Sequence, residues 1–309
     1  MNVYVVGAGA IGSYFGALLA KGGADVTFFA RARQLDALRT QGLAFEDVDQ
    51  KFHLDTIHAT DEPRNLREAD LVLWCTKTYS NRTLGETLGP HLRPETLVIT
   101  IQNGVDGWET VKGLTSARVY PGNALIAVTR PDYGRVRQTG GPRKLLFGDP
   151  LGANEELAEI AANMHQYGIN VELSKDIQVD LWNKFVLICA FGGMTAACRA
   201  SIGKVLSSSV SRSAYERCVH ETLSLSAALS ISLGADAFDA VMARSCDYLQ
   251  DERKYQSRSS MLVDLENKRA TEIDSINGYV VQQSHRYGLA VPVNETIYSA
   301  VKLAESGDG

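Results

Sequence analysis

The stretch VYVVGAGAIGSYFGALLAKGG, residues 3–23, decides the fold. Four residues of apolar, β-prone character run into G-A-G-A-I-G, and a helix pattern follows from Gly12 to Lys21. A strand that turns on glycines straight into a helix is the opening unit of a dinucleotide-binding sheet. The first glycine permits the tight turn, the second lets backbone approach a pyrophosphate, and the third packs helix against strand. The helix N-terminus then presents its open N–H groups to the phosphates. Glycine spacing alone is weak evidence, since a glycine-rich turn can carry no ligand. The strand before it, the helix after it and its place at residue 7 favour the dinucleotide reading.

Working outward, the first half alternates strand-like and helix-like segments. Asn2–Val6 is followed by a strand-like run over Asp25–Arg31 and a helix over about Ala32–Thr40. Further strand-like runs cover Asp70–Cys75 and Thr96–Gln102. This alternation predicts an α/β, parallel, doubly wound sheet. Residues 42–60 alternate in period two around a polar Asp47–Gln50 turn, which predicts an inserted hairpin. Residues 118–148 hold more strand-like stretches, which Pro131, Gly134 and Gly140–Pro142 are expected to break.

Beyond about residue 174 the pattern becomes helical, and from Asp176 onward the only proline is Pro292. One helical stretch is expected to run to Gly234, another from Asn267 to Gly288, and a last one to start at Asn294 as its cap. The division predicted is a Rossmann-type dinucleotide-binding domain over 1–172 and an all-α domain over 173–309.

Charge and composition narrow the function classes. The 309 residues carry a formal net charge of −5 and are 45% hydrophobic. That balance gives no general electrostatic reason to bind nucleic acid or anionic lipid. No stretch approaches the roughly 18–20 unbroken apolar residues of a membrane span, and the start of the chain lacks the basic region of a signal peptide. Cys75, Cys189, Cys198, Cys218 and Cys246 are dispersed without CxxC pairs, as in reduced core cysteines of a cytoplasmic protein. The histidines are scattered too, so no metal site is expected. The helical half offers surfaces for a homodimer, although amphipathic helices also pack within one subunit.

The second strand ends in A-R-A-R, where an enzyme preferring NAD usually carries Asp or Glu for the ribose 2′-hydroxyl. Arg31 and Arg33 can instead grip a 2′-phosphate in a charge-assisted fork, which favours NADP; the alternative is two solvated arginines at a helix start. Lys77 and Asn103 each follow a strand-like run. The ligand crevice of an open α/β sheet lies outside those carboxyl ends, so both are candidate contacts to phosphate, ribose or substrate. An ordinary surface lysine and an Asn-Gly turn are the alternatives.

In LWNKFVLICAFGG, residues 181–193, Lys184 sits among Trp182, Phe185, Val186 and Ile188. Either its head snorkels to water, or the amine is used. The segments GAGAIG, TKT, QNG and LWNKF, with SSML-x-DL…TEID-x-ING over residues 259–278 and the closing VPVNETIYSAV, run in order along almost the whole chain. Together they resemble the ketopantoate reductase (2-dehydropantoate 2-reductase) family.

The resemblance implies NADP-dependent reduction of a small 2-keto acid, 2-dehydropantoate to pantoate in pantothenate biosynthesis, with no nucleic-acid or membrane partner. By matching motif, Lys184 is the catalytic lysine and Glu272 the catalytic acidic residue, which also reaches the cofactor. Ser260 and Asn103 contact substrate, Lys77 and Asn103 line the cofactor crevice, and Gly7, Gly9, Gly12 and Arg31 hold the dinucleotide. A buried lysine with a lowered pKa suits the role of general acid to the developing alkoxide.

The resemblance lapses at three positions. The family's asparagines four and eight residues beyond the lysine, and one before a later glycine, are replaced by Ile188, Gly192 and Ile202. Isoleucine and glycine remove amide donors from the lysine's helix face and make it more apolar. A larger or more apolar keto acid is therefore the alternative substrate; Arg199, Arg253 and Arg258 are candidates to hold its carboxylate. A non-catalytic NADP-binding sensor or scaffold is the alternative from another class, though it would need neither Lys184 nor Glu272.

Overall fold

Strand β1 (Asn2–Val6) lies in the middle of a sheet and is covered on both faces. Val3 and Val5 enter one apolar cluster with Tyr14, Phe15 and Phe28, while Tyr4 and Val6 enter another with Trp74, Leu84 and Val98. That period-two division follows from the pleat, and it explains why the strand reads as continuously apolar. The computed structural model describes residues 1–306 and forms two compact units: Met1–Gln102 with Asp106–Ile177, and Asn103–Val105 with the described residues from Gln178 on.

In the first unit β1 is followed by α1 (Ala10–Lys21), β2 (Asp25–Phe29) and α2 (Ala32–Gln41), then β3 (Leu43–Glu46), β4 (Lys51–Leu54) and β5 (His58–Thr60). After these come β6 (Leu71–Trp74), α3 (Asn81–Leu88), β7 (Leu97–Thr100), α4 (Gly107–Lys112), β8 (Arg118–Thr129), β9 (Arg135–Phe147), α5 (Glu155–Gln166) and β10 (Asn170–Leu173). The strand order β4-β3-β9-β8-β7-β6-β1-β2-β5 contains a parallel core from β8 to β5, with β10 pairing β9. Winding reverses between β1 and β6, the switch point at which open α/β sheets bind ligands. The expected doubly wound sheet is thus present, and β3 and β4 form the expected antiparallel hairpin around Asp47–Gln50.

Residues 118–148 differ from expectation. Pro131 and Gly134 do mark a turn, but Gly140–Pro142 lie inside β9 as an irregularity in its pairing with β8. A bulge spares the proline a ladder hydrogen bond it cannot donate, and Gly141 supplies a φ of +79°. β8 pairs in parallel with β7 over Arg118–Pro121 and antiparallel with β9 from Gly122 on, so one long strand serves both pairings.

The helical unit contains α6 (Ile177–Cys198), α7 (Ile202–Ser207), α8 (Ser209–Ala228), α9 (Ala237–Cys246), α10 (Glu252–Tyr255), α11 (Ser260–Glu266), α12 (Asn277–Arg286) and α13 (Pro292–Ser306). α6 is long and apolar enough, by length and composition, to cross a membrane, which the unbroken-run criterion had excluded; most of its apolar window is buried in protein. It is a core helix whose partly accessible stripe carries Asp180, Lys184, Ile188 and Phe191.

One helix ends earlier than the sequence suggests and another starts later. α8 stops at Ala228 rather than Gly234: Ile231 N donates to Ser226 O at 2.8 Å and Ser230 N to Ala227 O at 3.0 Å. The run from Asn267 to Gly288 is not one helix either. α11 ends at Glu266, where Arg269 N donates to Asp264 O at 2.8 Å and Lys268 N to Leu265 O at 3.0 Å. Both are Schellman closures, normally marked by glycine, yet Ser230 and Lys268 take the left-handed position with φ of 62° and 53°. Asn294 does not cap α13. The helix begins at Pro292, and Glu221 of α8 accepts from the N–H groups of Val293 and Asn294 at 2.9 Å each. The five cysteines are free, and only Cys189 and Cys218 are buried; Cys198 is exposed.

Candidate active site

At the switch point, Gly7 has a φ of +98°, and a Cβ there would stand 2.8 Å from Thr76 Cγ2 and 2.9 Å from its backbone nitrogen. A Cβ on Gly12 would come within 2.2 Å of Gly7 O. These two glycines are required by close packing of α1 against the ends of β1 and β6. Gly9 differs: nothing lies within 4 Å of its would-be Cβ. It is the N-cap of α1 and makes no side-chain hydrogen bond to the helix's first N–H groups. A cavity of about 190 Å³ lies there, lined among others by Gly7, Gly9, Arg31, Gln34, Thr76 and Arg130. The donor-rich, carboxylate-free cradle fits a dinucleotide diphosphate.

Arg31, the candidate for a 2′-phosphate, is exposed at the rim of this cavity. Lys77 follows Thr76 immediately and is half-buried, but it is not a lining residue of this cavity. Arg130 was missed, because a hairpin brings it from almost a hundred residues beyond Arg31. Missed too was the amide pair that fixes the ends of β6 and β7. Gln102 Nε2 donates to Asn81 Oδ1 at 2.7 Å and to Thr76 O at 2.7 Å, and Asn81 Nδ2 donates to Gln102 Oε1 at 3.0 Å. Trp74 Nε1 also donates to Asn81 Oδ1, at 3.1 Å. Every polar atom of this buried knot works, so it rigidifies the loops that carry Lys77 and Asn103.

The second group of residues lies in the helical unit. Lys184 is two turns into α6, beside an aromatic cluster in which Trp182 and Phe185 are 5.2 Å apart and Tyr279 meets Phe185 at 5.8 Å. It keeps partial solvent access, yet desolvation is the larger influence on its amine. Burial pulls its pKa down from the usual lysine value to about 8, against the opposing charge of Glu272. Glu272 is itself buried, and Asn103 Nδ2 donates to its Oε2 at 3.4 Å. Lys184, Glu272 and Asn103, three residues far apart in sequence, thus belong to one cluster.

The T-E-I-D-x-I-N-G motif explains how Glu272 is held. Thr271 Oγ1 accepts from Ile273 N at 3.2 Å, and Thr271 N donates to Glu305 of α13 at 2.6 Å. Asn277 Nδ2 donates to Cys189 O on α6 at 3.2 Å and to Asn294 Oδ1 at 2.9 Å. The buried Asn277 therefore ties the segment bearing the carboxylate to the helix bearing the lysine. Gly278 is needed because a Cβ would meet the Tyr298 ring at 2.9 Å.

Ser260 is exposed in the first turn of α11. Its neighbour Ser259 is buried, caps α11 by accepting from Leu262 N at 3.1 Å, and accepts from Thr195 Oγ1 at 2.7 Å. Ile188 and Gly192 share the lysine's side of α6, whereas Ile202 is fully buried. A Cβ on Gly192 would touch only Met261 Cε at 3.8 Å, so that position has room. Beside it Phe191 stacks on Tyr248 with centroids 5.3 Å apart. Among the three arginines proposed for a substrate carboxylate, Arg258 is already paired with Glu266 at 2.8 Å. Arg199 and Arg253 are exposed.

Comparisons with known proteins identify the family of the chain. The sequence pattern of the ketopantoate reductase PanE/ApbA family matches residues 3–152, and that of the family's C-terminal domain matches residues 176–305. A 2-dehydropantoate 2-reductase from Archaeoglobus fulgidus is 30% identical over 99% of this chain and 98% of its own. An uncharacterized oxidoreductase, YkpB of Bacillus subtilis, is 26% identical over 99% of both chains. The crystal structure of a PanE/ApbA family ketopantoate reductase from Ralstonia eutropha JMP134 superposes with a TM-score of 0.91, at 27% identity and 99% coverage of both chains. With two family patterns covering most of its length, this chain belongs to the ketopantoate reductase family of oxidoreductases.

Proposed function

We propose that the protein reduces a 2-keto acid to a 2-hydroxy acid with NADPH, and that Lys184 is the general acid. The observation that carries this is the Lys184–Glu272 pair: an amine whose pKa burial lowers to about 8, beside a buried carboxylate, in a helix otherwise built as core. Bound NADPH supplies the hydride that passes from nicotinamide C4 to the substrate's carbonyl carbon. As that carbon gains two electrons, negative charge collects on the oxygen. The Lys184 ammonium stabilises it and gives up a proton, leaving a neutral amine that water reprotonates. A proton-transfer role of this kind contributes roughly 10²- to 10⁴-fold in rate.

Glu272 favours the charged form of the lysine, and its carboxylate can accept from a substrate hydroxyl or the cofactor ribose. Asn103 supports it from the loop after β7 and can reach substrate or cofactor. Gly7, Gly9 and Gly12 shape the diphosphate cradle, Arg31 takes the 2′-phosphate, and Lys77 lies at the adjoining strand end. Ser260 serves as a substrate contact, being accessible where Ser259 is occupied as a helix cap. A sensor or scaffold without chemistry has no use for the Lys184–Glu272 pair.

Family membership favours 2-dehydropantoate as substrate, with pantoate as product. A second reading is favoured by a specific feature: the room for a side chain at Gly192, with Ile188 on the same helix and Phe191 stacked on Tyr248 beside it. Those groups offer no amide to a polyhydroxylated acid and suit a larger or more apolar 2-keto acid. Rates of NADPH oxidation with 2-dehydropantoate, a branched aliphatic 2-keto acid and an aryl 2-keto acid separate the two. If 2-dehydropantoate has a kcat/KM within tenfold of the best of these, the pantoate reading stands. If it trails by a factor of thousands, the apolar reading replaces it, and if none is turned over the proposed reaction is wrong.

A further inference from the structure

The turn joining β8 to β9, Arg130–Gly134, reaches the rim of the glycine cavity. It is held there from several sides. Gly134 takes a φ of +68°, its N–H donates to Gln34 Oε1 at 3.3 Å, and its carbonyl accepts from Ala44 N at 2.9 Å. Arg130 Cζ stands over the Tyr133 ring, 4.8 Å from its centroid, and its Nη1 donates to Gln34 Oε1 at 3.5 Å. With two donors on the oxygen, the orientation of the Gln34 amide is fixed. Its Nε2 is then left buried with no hydrogen-bond partner, in a residue only 6% exposed that lines the cavity. A buried amide donor without an acceptor costs free energy until something supplies one.

Two guanidinium groups, Arg31 and Arg130, stand on this same rim, and among the described residues neither forms an ion pair with a carboxylate. In a chain of net charge −5, two uncompensated arginines beside an orphaned amide donor mark a place built for an anion. We infer that Arg130 and Arg31 form a two-arginine clamp on the 2′-phosphate of NADP, with the Gln34 amide nitrogen as a third donor. Arg130 is thereby a cofactor-specificity residue contributed by the hairpin. The Tyr133 ring acts as a shelf that keeps its planar fork aligned before the ligand arrives, so less rotamer entropy is lost on binding. This rests on the NADP reading of the same cavity.

The test is calorimetric binding of NADPH and NADH to the purified protein and its variants, which needs no turnover. The unaltered protein is expected to bind NADPH more tightly than NADH. Losing one charge-assisted fork in Arg130→Ala should weaken NADPH by roughly 10- to 150-fold and leave NADH within about twofold. Arg130→Lys, which keeps the charge but not the fork, should fall between. Because Arg130 is exposed, folding is not at stake, and unchanged thermal unfolding verifies this. If Arg130→Ala leaves the NADPH/NADH ratio of the unaltered protein in place, the clamp is refuted while the NADP reading survives. If the unaltered protein binds NADH as tightly as NADPH, the NADP reading itself fails.

Discussion

Raising the pH across the titration of Lys184 is the perturbation that bears most directly on the proposed chemistry. Burial lowers this amine to about 8, with Glu272 opposing. With that value, roughly 90% of the lysine is protonated at about pH 7 and roughly 10% at about pH 9. A lysine left at its ordinary value would lose only a few per cent of its protons over the same interval. If the protonated amine is the general acid, kcat/KM for the keto acid at saturating NADPH falls about tenfold between those pH values. The substrate carboxylate is ionised throughout and adds no slope of its own. The assay is NADPH oxidation at 340 nm in buffers of constant ionic strength. Lys184→Arg provides the control: its guanidinium stays charged, so the slope should vanish while the rate drops by roughly 10²- to 10⁴-fold. A profile flat to about pH 9.5 in the unaltered protein, or the same tenfold fall in Lys184→Arg, refutes the assignment.

Neighbouring glycines of α6 should respond with opposite signs. Gly192→Ala meets only Met261 Cε, at an ordinary contact distance of 3.8 Å, and should raise stability by about 0.5–1 kcal/mol through helix propensity. Gly193→Ala would drive a Cβ to 2.7 Å from Ile297 Cγ2 and 2.8 Å from Asn277 Oδ1, lowering the thermal midpoint instead. The two Schellman closures lacking glycine give another check. Ser230→Gly and Lys268→Gly should each raise stability by about 1 kcal/mol, read as a higher urea midpoint, because a left-handed residue with a Cβ costs that much.

The parts of the fold that were legible are those where local pattern and tertiary role coincide. β1 reads correctly because both faces are buried, and the Gly7–Gly12 motif because close backbone packing leaves no alternative to glycine. The end of α8 was misread because serine, not glycine, occupies the left-handed closing position, and the helix expected from Asn267 starts only at Asn277 because Lys268 takes that same conformation just after α11. The start of α13 was misread because its cap is a carboxylate from α8, more than seventy residues earlier. The same contrast holds at the candidate site. Lys184 announced itself as a charge in an apolar helix and Glu272 only through its motif. Gln34 and Arg130 carried no local signal, since their meaning arises when a hairpin delivers one guanidinium to a buried amide.

The loop Asn103–Val105 clusters with the helical unit although the strand before it and the helix after it belong to the sheet. The polypeptide therefore changes unit three times rather than once. A fragment cut after Ile177 would strand that tripeptide on the wrong piece and deprive Glu272 of the amide that donates to it. Split-protein or domain-exchange designs in this chain need to graft residues 103–105 along with the C-terminal helices, or the acidic side of the site will be built without its support.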